Sequence, residues 1–171
     1  ADLTPRARAV LAEVGFVLAE DTRRTASLLQ QIGVSQRLVS CHEHNERERI
    51  ASVVQALLCG VDVALVSDGG SPAISDPGYP LVAAAAAAGA TVSAVPGPCA
   101  ALLALQCSGL PTDRFTFLGF APKKSAKRCE WLRSALTAAA GAATASGSVI
   151  VYVPARDAAA LLDDVAAVAG P

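Results

Sequence analysis

Short apolar runs alternate with amphipathic segments along the first two thirds of the chain. Apolar residues at helical spacing predict helices, and short continuously apolar runs predict strands that are buried on both faces. The predicted strands are Phe16-Val17-Leu18-Ala19, Leu38-Val39-Ser40, Val63-Ala64-Leu65-Val66 and Thr91-Val92-Ser93-Ala94-Val95. Because helices separate these strands, the pattern is typical of βα units that form a parallel sheet.

Several of the predicted helices have clear ends. Thr4 is expected to cap the first helix, with Pro5 at its first position. Gly33 stands where a glycine commonly follows a helix C-terminus. Further helices are predicted over the segment that carries Ile50 to Leu58, over about 79–88 and over 100–106.

From Pro111 onward the pattern changes. The elements expected there are a half-exposed strand at Phe115-Thr116-Phe117, a charged helix from Lys124 to Leu136, a small-residue loop from Gly141 to Gly147, a strand from Ser148 to Tyr152 and a last helix. We therefore place a domain boundary near Thr112. The predicted α/β architecture has an N-terminal parallel-sheet domain over 1–112 and the start of a second α/β domain over 113–171.

The chain is nearly neutral as a whole, and its basic residues are concentrated in a few local groups. The 171 residues carry a net charge of −1 with a pI near 6.1, whereas broadly basic nucleic-acid-binding domains have a pI above about 9. Basic residues are nevertheless grouped: Arg23 and Arg24, Arg47 and Arg49, and Lys123, Lys124, Lys127 and Arg128. Taken alone, each group is most simply explained as the solvated face of a helix.

The five cysteines occur without a CxxC pair, which indicates reduced thiols in a cytoplasmic protein rather than a disulfide framework or a zinc site. The stretch from Pro77 to Thr112 has no charge, but Gly89 and Pro96-Gly97-Pro98 interrupt it. A buried helix, strand and helix therefore explain it better than a membrane span. The chain begins at Ala1 and contains no methionine, and we expect it to be a fragment.

Each predicted strand of the N-terminal domain ends in glycines, prolines or charged residues. These strand-end clusters are Glu20-Asp21, His42 to Asn45, Ser67 to Pro72 and Pro96 to Cys99. Parallel strands end along one edge of their sheet, where ligands bind, so one shared site is predicted. Ordinary turns are the alternative, since Gly, Pro, Asp and Asn populate turns anyway. Acids and histidines are not needed to turn a chain, and they favour the site.

The absence of two nucleotide-binding motifs restricts the classes of ligand that the site could bind. The chain has neither GxxxxGK[ST] nor GxGxxG, so neither a P-loop nor a dinucleotide-binding fold is predicted. Gly69-Gly70-Ser71-Pro72 and Pro96-Gly97-Pro98 instead allow bare backbone to approach a ligand. Their amides and carbonyls suit an adenine edge and the ends of an amino acid.

A series of motifs follows one order along nearly the whole chain. They are Asp2-Leu3-Thr4-Pro5-Arg6-Ala7, Ala19-Glu20-Asp21-Thr22-Arg23, His42-Glu43-His44-Asn45-Glu46, Val66-Ser67-Asp68-Gly69-Gly70-Ser71-Pro72, Ser75-Asp76-Pro77-Gly78-Tyr79, Pro96-Gly97-Pro98, Ser108-Gly109-Leu110-Pro111 and Phe115-Thr116-Phe117-Leu118-Gly119-Phe120. In order and spacing this series resembles the ribosomal RNA small subunit methyltransferase I family.

The resemblance implies the fold of tetrapyrrole methylases, or class III methyltransferases, with S-adenosylmethionine bound between two α/β domains. It implies 2′-O-methylation of a cytidine in 16S ribosomal RNA, by a homodimer. We expect neither a metal nor a membrane to be involved. On the positions of this sequence, the methyl donor is assigned to Ser67, Asp68, Gly69, Gly70, Ser71, Pro72, Pro96, Gly97, Pro98 and Cys99.

The sequence also departs from the family pattern. The family's opening strand and its glycine-asparagine-leucine turn are absent, and the family continues beyond Pro171. Gly69-Gly70-Ser71 replaces an alanine-glycine-threonine pattern, and Val153-Pro154-Ala155-Arg156 replaces a glutamate-serine-x-histidine-arginine motif. We therefore expect the chain as written to bind the donor poorly and to be inactive.

Methyl transfer is an in-line displacement, so the enzyme must position the nucleophilic oxygen and remove its proton. Asp21 is the first candidate for the general base or for a nucleophile-orienting carboxylate, and Glu20 is the second. Arg23 suits a carboxylate or an RNA phosphate. His44 and Asn45 are candidates for binding a base or ribose, although a hydrogen bond at a helix start and an N-cap would also explain them.

Two other functions remain open at this point. One is a class III methyltransferase that acts on a tetrapyrrole or a protein side chain, against which the RNA-type motifs around Glu20 and His42 argue. The other is a non-catalytic chain that binds RNA or a partner.

Overall fold

The computed structural model describes residues 2–141 and 147–170. The chain forms two compact units, Ala1–Cys99 and Ala100–Pro171. The domain boundary expected near Thr112 stays a prediction. Most of the loop expected from Gly141 to Gly147 lies outside the described residues.

The first unit contains a parallel sheet of three strands. Its elements are α1 (Pro5–Glu13), β1 (Phe16–Ala19), α2 (Thr22–Gln31), β2 (Leu38–Ser40), α3 (Glu46–Leu58), β3 (Val63–Val66) and α4 (Tyr79–Ala87). The strand order is β2-β1-β3, and both pairings are parallel. Ala19 lies opposite Ser40 on one side and Val66 on the other, so the three strands end at one level. The predicted βα pattern and parallel sheet are confirmed.

Strand β1 is the central strand of the sheet. Its alternate residues face opposite sides of the sheet, so it contributes to the core on both faces. Val17 packs on one face and Leu18 on the other, and each is at most 1% exposed. The first face is covered by Leu11, Val14 and Leu29, and the second by Cys41, Val53 and Leu81. Helices α1 and α2 therefore cover one face, and α3 and α4 the other.

The expected ends of the first two helices are also confirmed. Thr4 caps α1, its Oγ1 accepting the N–H of Ala7 at 3.1 Å, and Pro5 follows at the first helical position. Gly33 comes directly after the last residues of α2 with φ +67°, a backbone conformation that glycine adopts without steric cost.

The prediction of a strand at 91–95 is wrong. These residues form no strand, and Val92 is half exposed. Threonine and valine favour extended backbone, but a strand also needs a neighbour that accepts and donates its backbone hydrogen bonds. None of the described strands pairs with this segment.

The second unit has two parallel strands and three helices among its described residues. They are α5 (Ala100–Cys107), β4 (Phe115–Phe120), α6 (Ser125–Gly141), β5 (Ser148–Tyr152), a short 3-10 turn (Ala155–Asp157) and α7 (Ala158–Ala169). Strands β4 and β5 pair in parallel, with an irregularity between Phe117 and Phe120. The strands expected at Phe115 and Ser148 are thereby confirmed.

Arg128 does not belong to a solvated basic face, as its sequence neighbours had suggested. Its side chain is buried, and its Nε donates to Asp164 Oδ2 at 2.6 Å. The guanidinium also donates to the backbone carbonyls of Pro122 and Ala160. Arg128 therefore links α6 to α7 and is not available to a nucleic acid.

All five cysteines are free thiols. Within the described residues, no helix combines the length and the hydropathy needed to cross a membrane.

Candidate active site

The loops that follow β1, β2 and β3 lie next to one another at the carboxyl edge of the sheet. The N–H of Cys41 donates to the carbonyl of Ala19 at 2.8 Å, which joins the ends of β2 and β1. The N–H of Asp21 donates to Oδ1 of Asp68 at 3.0 Å, which joins the ends of β1 and β3. These two hydrogen bonds bring together three of the four strand-end clusters that the sequence indicated.

Asp21 and Arg23 form an ion pair at the start of α2. Asp21 caps the helix, its Oδ1 accepting the N–H of Arg23 at 2.9 Å, and Oδ2 accepts Nη2 of Arg23 at 2.6 Å. Hydrogen bonds from the Arg23 side chain and backbone hold the pKa of Asp21 well below its ordinary value, and the pKa of Arg23 is raised in turn. A carboxylate with so low a pKa is a weak base near neutral pH. The geometry therefore favours the orienting role of Asp21 over the role of general base. Glu20, just before it, is half buried.

Asp68 is held between the ends of two strands. Its Oδ1 accepts the Asp21 N–H, and its Oδ2 lies 3.4 Å from a guanidinium nitrogen of Arg24. Both oxygens therefore already have donors or a counter-charge within the chain. Asp68 ties the end of β3 to the first turn of α2, so it fixes the shape of this edge.

The side chain of Asn45 stabilises the turn between β2 and α3 through two hydrogen bonds. Its Oδ1 accepts the N–H of His42 at 2.8 Å, and its Nδ2 donates to the carbonyl of Ser40 at 3.4 Å. Asn45 stands at the N-cap position of α3, as expected, but its side chain makes no capping bond to the helix. His44 is exposed, with its ring 6.0 Å from that of His42. The Nδ1 atom of His42 is buried and has no hydrogen-bond partner in the described part of the chain.

The two glycine-containing loops contact each other. The hydroxyl of Ser71 donates to the carbonyl of Pro98 at 3.4 Å, and that of Ser67 to the carbonyl of Gly69 at 3.4 Å. A Cβ added at Gly69, Gly70 or Gly97 would meet no atom within 4 Å. The backbone of both loops is therefore open to a ligand. Asp68, Ser71, Pro72 and Cys99 are half buried beside them, while Pro96 and Pro98 are exposed.

A loop that the sequence placed among its motifs, without giving it a role, completes this edge. Glu46 is buried, and its Oε2 accepts the N–H of Gly78 at 2.9 Å. Ala73 and Ser75 adopt φ values of 65° and 60°, which non-glycine residues rarely do. The segment 73–78 is therefore strained and is held in place by a carboxylate from α3. The motif Ser75-Asp76-Pro77-Gly78-Tyr79 was the only sequence signal for it.

Asp76 is the second acidic residue that sequence reasoning missed. It is half buried in this loop, and burial raises the pKa of its carboxyl group. The nearby Ser67 hydroxyl lowers this pKa, and the negative charge of Asp68 raises it, both by less than burial does. The pKa of Asp21 is thus lower, and the pKa of Asp76 higher, than that of an ordinary aspartate. Carboxyl groups whose pKa values are shifted apart are common at acid–base sites.

Within the described residues, no group of three or more histidine, cysteine, aspartate or glutamate side chains is arranged to hold a metal ion.

Comparisons with known proteins agree on the family. The family model for tetrapyrrole (corrin/porphyrin) methylases matches residues 1–170. The chain is 53% identical over 127 residues to ribosomal RNA small subunit methyltransferase I of Pseudomonas aeruginosa, covering 74% of this chain and 45% of that protein. It is 44% identical over 169 residues to the protein of the same name from Micromonospora olivasterospora, covering 99% of this chain and 52% of that protein.

The chain spans about half the length of the curated relatives it matches. The match of the family model nevertheless extends over almost every residue, and the parallel sheet with its strand-end loops agrees with it. This chain belongs to the tetrapyrrole (corrin/porphyrin) methylase family.

Proposed function

We propose that the protein transfers a methyl group from S-adenosylmethionine to the 2′-hydroxyl of a cytidine in 16S ribosomal RNA. The observation that carries this proposal is the contact between the two open glycine loops beside a carboxylate-lined sheet edge. The printed name of the relatives, ribosomal RNA small subunit methyltransferase I, supports RNA as the substrate.

The donor fits the loops of residues 67–72 and 96–99. Backbone amides and carbonyls there are not covered by side chains at Gly69, Gly70 and Gly97, so they are free to bind adenine and the amino-acid end of the donor. S-adenosylmethionine supplies an electrophilic methyl group on a positively charged sulfur. The role of the chain is to hold the accepting oxygen in line with that group.

The RNA backbone fits the first turns of α2 and α3. Arg23 and Arg24 lie in the first turn of α2, and Arg47 and Arg49 in the first turn of α3. All four are exposed, and Arg49 also donates to the carbonyl of Ser40 at 3.2 Å. Helix N-termini and arginines both attract phosphate, and these two helices start at neighbouring strand ends. Phosphates bound there would place a ribose over the edge of the sheet.

Within this proposal Asp21 orients the substrate, Glu20 supports it, and His44 and Asn45 lie on the side where a base would bind. Asn45 contributes by fixing the turn at residues 42–45, and His44 by an exposed ring. The expected homodimer and cytoplasmic location belong to the same proposal. The family description also names corrin and porphyrin methylases, which makes a tetrapyrrole substrate the second candidate.

Gly97→Val tests the donor site in the full-length protein. A Cβ added at Gly97 meets no atom of the chain within 4 Å, so the fold should tolerate the substitution, whereas the valine side chain would occupy the space of the donor. We expect at least a tenfold loss of affinity for S-adenosylmethionine in calorimetric titration, which corresponds to about 1.4 kcal/mol. Ala86→Val, on the exposed side of α4, is the matched control. Normal affinity in folded Gly97→Val would remove this loop from the site.

The substrate is tested by incubating the protein with labelled donor and either isolated small ribosomal subunits or a porphyrin. We expect label in 16S RNA, at a ribose 2′-oxygen. Label transferred to the porphyrin instead would select the second candidate.

A further inference from the structure

A small pocket lies at the carboxyl edge of the two-stranded sheet in the second unit. Strands β4 and β5 are parallel and end at Phe120 and Tyr152, which are opposite each other in the register. The pocket has a volume of about 130 Å³ and is lined by Phe120, Ala121, Pro122, Lys123, Arg128, Val153, Pro154 and Asp157. Pockets that enclose a whole drug-sized molecule have volumes of roughly 300–1,000 Å³, so this one suits a single small, flat group.

The ring of Phe120 forms part of the pocket wall and is held by an aromatic neighbour. Its centroid lies 5.4 Å from that of Tyr152, and the ring of Tyr152 lies 4.9 Å from that of Phe117. The Tyr152 hydroxyl accepts the N–H of Ala101 at 3.2 Å, which fixes the tyrosine in turn. Phe120 nevertheless remains 57% exposed. A fixed aromatic ring with so much free surface is suited to stacking on another flat ring.

The loop after β4, which forms another part of the wall, is held in shape by Arg128. Its Nη1 donates to the carbonyls of Pro122 and Lys123, at 3.3 Å each. The guanidinium is buried and paired with Asp164, so its own charge is balanced inside the fold. The pocket is therefore preformed, which lowers the entropic cost of binding a ligand there.

Positive charge is concentrated beside the pocket. Lys123 lines it, and Lys124 and Lys127 follow just before and within the first turn of α6; all three are exposed. The acidic lining residue, Asp157, has its Oδ2 3.8 Å from Nε of Arg156, which offsets its charge in part. Aromatic rings beside lysines are the arrangement that binds single-stranded nucleic acids, because the rings stack on bases and the cations attract the phosphates.

We propose that this pocket binds one unpaired base of the RNA substrate, with Phe120 stacking on the base and Lys123 contacting a neighbouring phosphate. The inference rests on the proposed function and adds a second RNA contact to the arginines of α2 and α3. The base must be unpaired, because bases inside an RNA helix are already stacked and paired. The carboxylate of Asp157 accepts hydrogen bonds, so it favours adenine, cytosine or guanine, which carry amino groups, over uracil.

The first test replaces Phe120 in the full-length protein and measures the affinity for 16S RNA by filter binding. Phe120→Leu keeps an apolar side chain but removes the ring, and we expect affinity to fall by about fivefold or more, the effect of losing one stacked base. Phe120→Trp keeps an aromatic ring and should retain most of the affinity. Phe115→Leu is the matched control, because Phe115 is an exposed phenylalanine at the opposite end of the same strand, and its affinity should equal that of the wild type.

A second variant tests the phosphate contact without altering the aromatic wall. For Lys123→Gln, the slope of log affinity against log salt should decrease by roughly 0.7, the contribution of one phosphate in a single strand. Arg133→Gln removes an equal charge from an exposed position further along α6 and should leave the slope unchanged.

Kinetics distinguish RNA binding from a role in the chemical step or in donor binding. Phe120→Leu should raise KM for small ribosomal subunits while kcat stays near the wild-type value, because the lost contact is made equally in the ground state and the transition state. Affinity for S-adenosylmethionine should be unchanged in Phe120→Leu and Lys123→Gln.

Three results would overturn the inference while the proposed function stands, provided that the wild type labels 16S RNA. One is that Phe120→Leu binds the RNA as tightly as Phe115→Leu does. Another is an equal loss of affinity for S-adenosylmethionine, which would assign the pocket to the donor. The third is a less stable Phe120→Leu together with an unchanged salt slope in Lys123→Gln, which would show that Phe120 has a packing role. If the wild type transfers no methyl group to the RNA, the proposed function fails and the inference fails with it.

Discussion

Gly78 is the glycine of the candidate site that we expect to tolerate substitution least. A Cβ there would lie 2.5 Å from Cδ2 of Leu65, and its φ of +131° is one that L side chains rarely adopt. Gly78→Ala should lower the free energy of unfolding by about 1–3 kcal/mol, measured by chemical denaturation. Gly69→Ala is the control, because its Cβ would meet nothing within 4 Å; its effect should stay within about 0.5 kcal/mol. Equal effects of the two substitutions would contradict this account.

Glu46 holds the same loop from the other side. Glu46→Ala removes the acceptor of the buried Gly78 N–H, and an unsatisfied buried donor costs about 1–3 kcal/mol. Glu46→Gln keeps a carbonyl oxygen at that place and should retain most of the stability. Amide exchange of Gly78 reports the difference directly. Fast exchange in both variants would show that the negative charge, rather than the acceptor, holds the loop.

Single residues were predictable where their role depends on near neighbours in sequence. Thr4 and Gly33 were predicted at helix ends because capping involves only a few adjacent residues. Asp21 was selected for its position after β1, and the structure adds its partner Arg23, two residues away. The contact between Glu46 and Gly78 joins residues that are 32 positions apart, so no local pattern indicates it. Asp76 was missed for the same reason, since the shift of its pKa is caused by burial and by Ser67 and Asp68, which lie eight or more positions earlier in the chain.

At the scale of elements, the sequence was most informative for the buried strands. Strands β1 and β3 were located residue for residue because continuous apolar runs and flanking turn residues mark them clearly. The segment 91–95 has the same local character but no partner strand among the described residues, so propensity alone misled the prediction. Arg128 shows the same limit, since its buried pairing with Asp164 joins two helices far apart in sequence.

The pairing of α6 with α7 through Arg128 gives a prediction that depends on pH. Hydrogen bonds from Ser125, and then the pairing with Arg128, lower the pKa of Asp164 below its ordinary value of 3.8. The stability that Asp164 contributes is therefore complete above pH 3.8 and is lost as the pH falls through the lower folded-state pKa. Asp164→Asn leaves buried Arg128 without a counter-charge and should lower the thermal midpoint at pH 7 by about 3–8 °C.

The difference between wild type and Asp164→Asn should shrink as the pH falls below 3.8. Asp163→Asn is the control, because Asp163 is the exposed neighbour on the same helix. A difference that stayed constant down to low pH would show that Asp164 acts through packing rather than charge.

For the whole molecule, the net charge of −1 conceals a local concentration of arginines at the sheet edge. Nucleic-acid affinity falls with salt in proportion to the number of phosphates that a protein neutralises. Arg47→Gln should reduce the slope of log affinity against log salt by roughly 0.7–0.9 for 16S RNA, measured by filter binding. Arg6→Gln removes an equal charge from an exposed position in the first turn of another helix, α1, and should leave the slope unchanged. Equal slopes for wild type and Arg47→Gln would exclude a phosphate contact at Arg47.

The order β2-β1-β3 has a consequence for the way in which the first unit forms. The central strand is the first of the three along the chain, and its partners on both sides come later: β2 after helix α2, and β3 after a further helix, α3. As the chain leaves the ribosome, β1 gains its first neighbour with β2 and its second only when Val66 has appeared. At that point Leu18 still lacks the cover of α4, which follows β3, and pairings between segments distant in sequence form slowly. Val17, Leu18 and Ala19 should therefore become protected from amide exchange late during synthesis, yet exchange most slowly of all in the finished sheet.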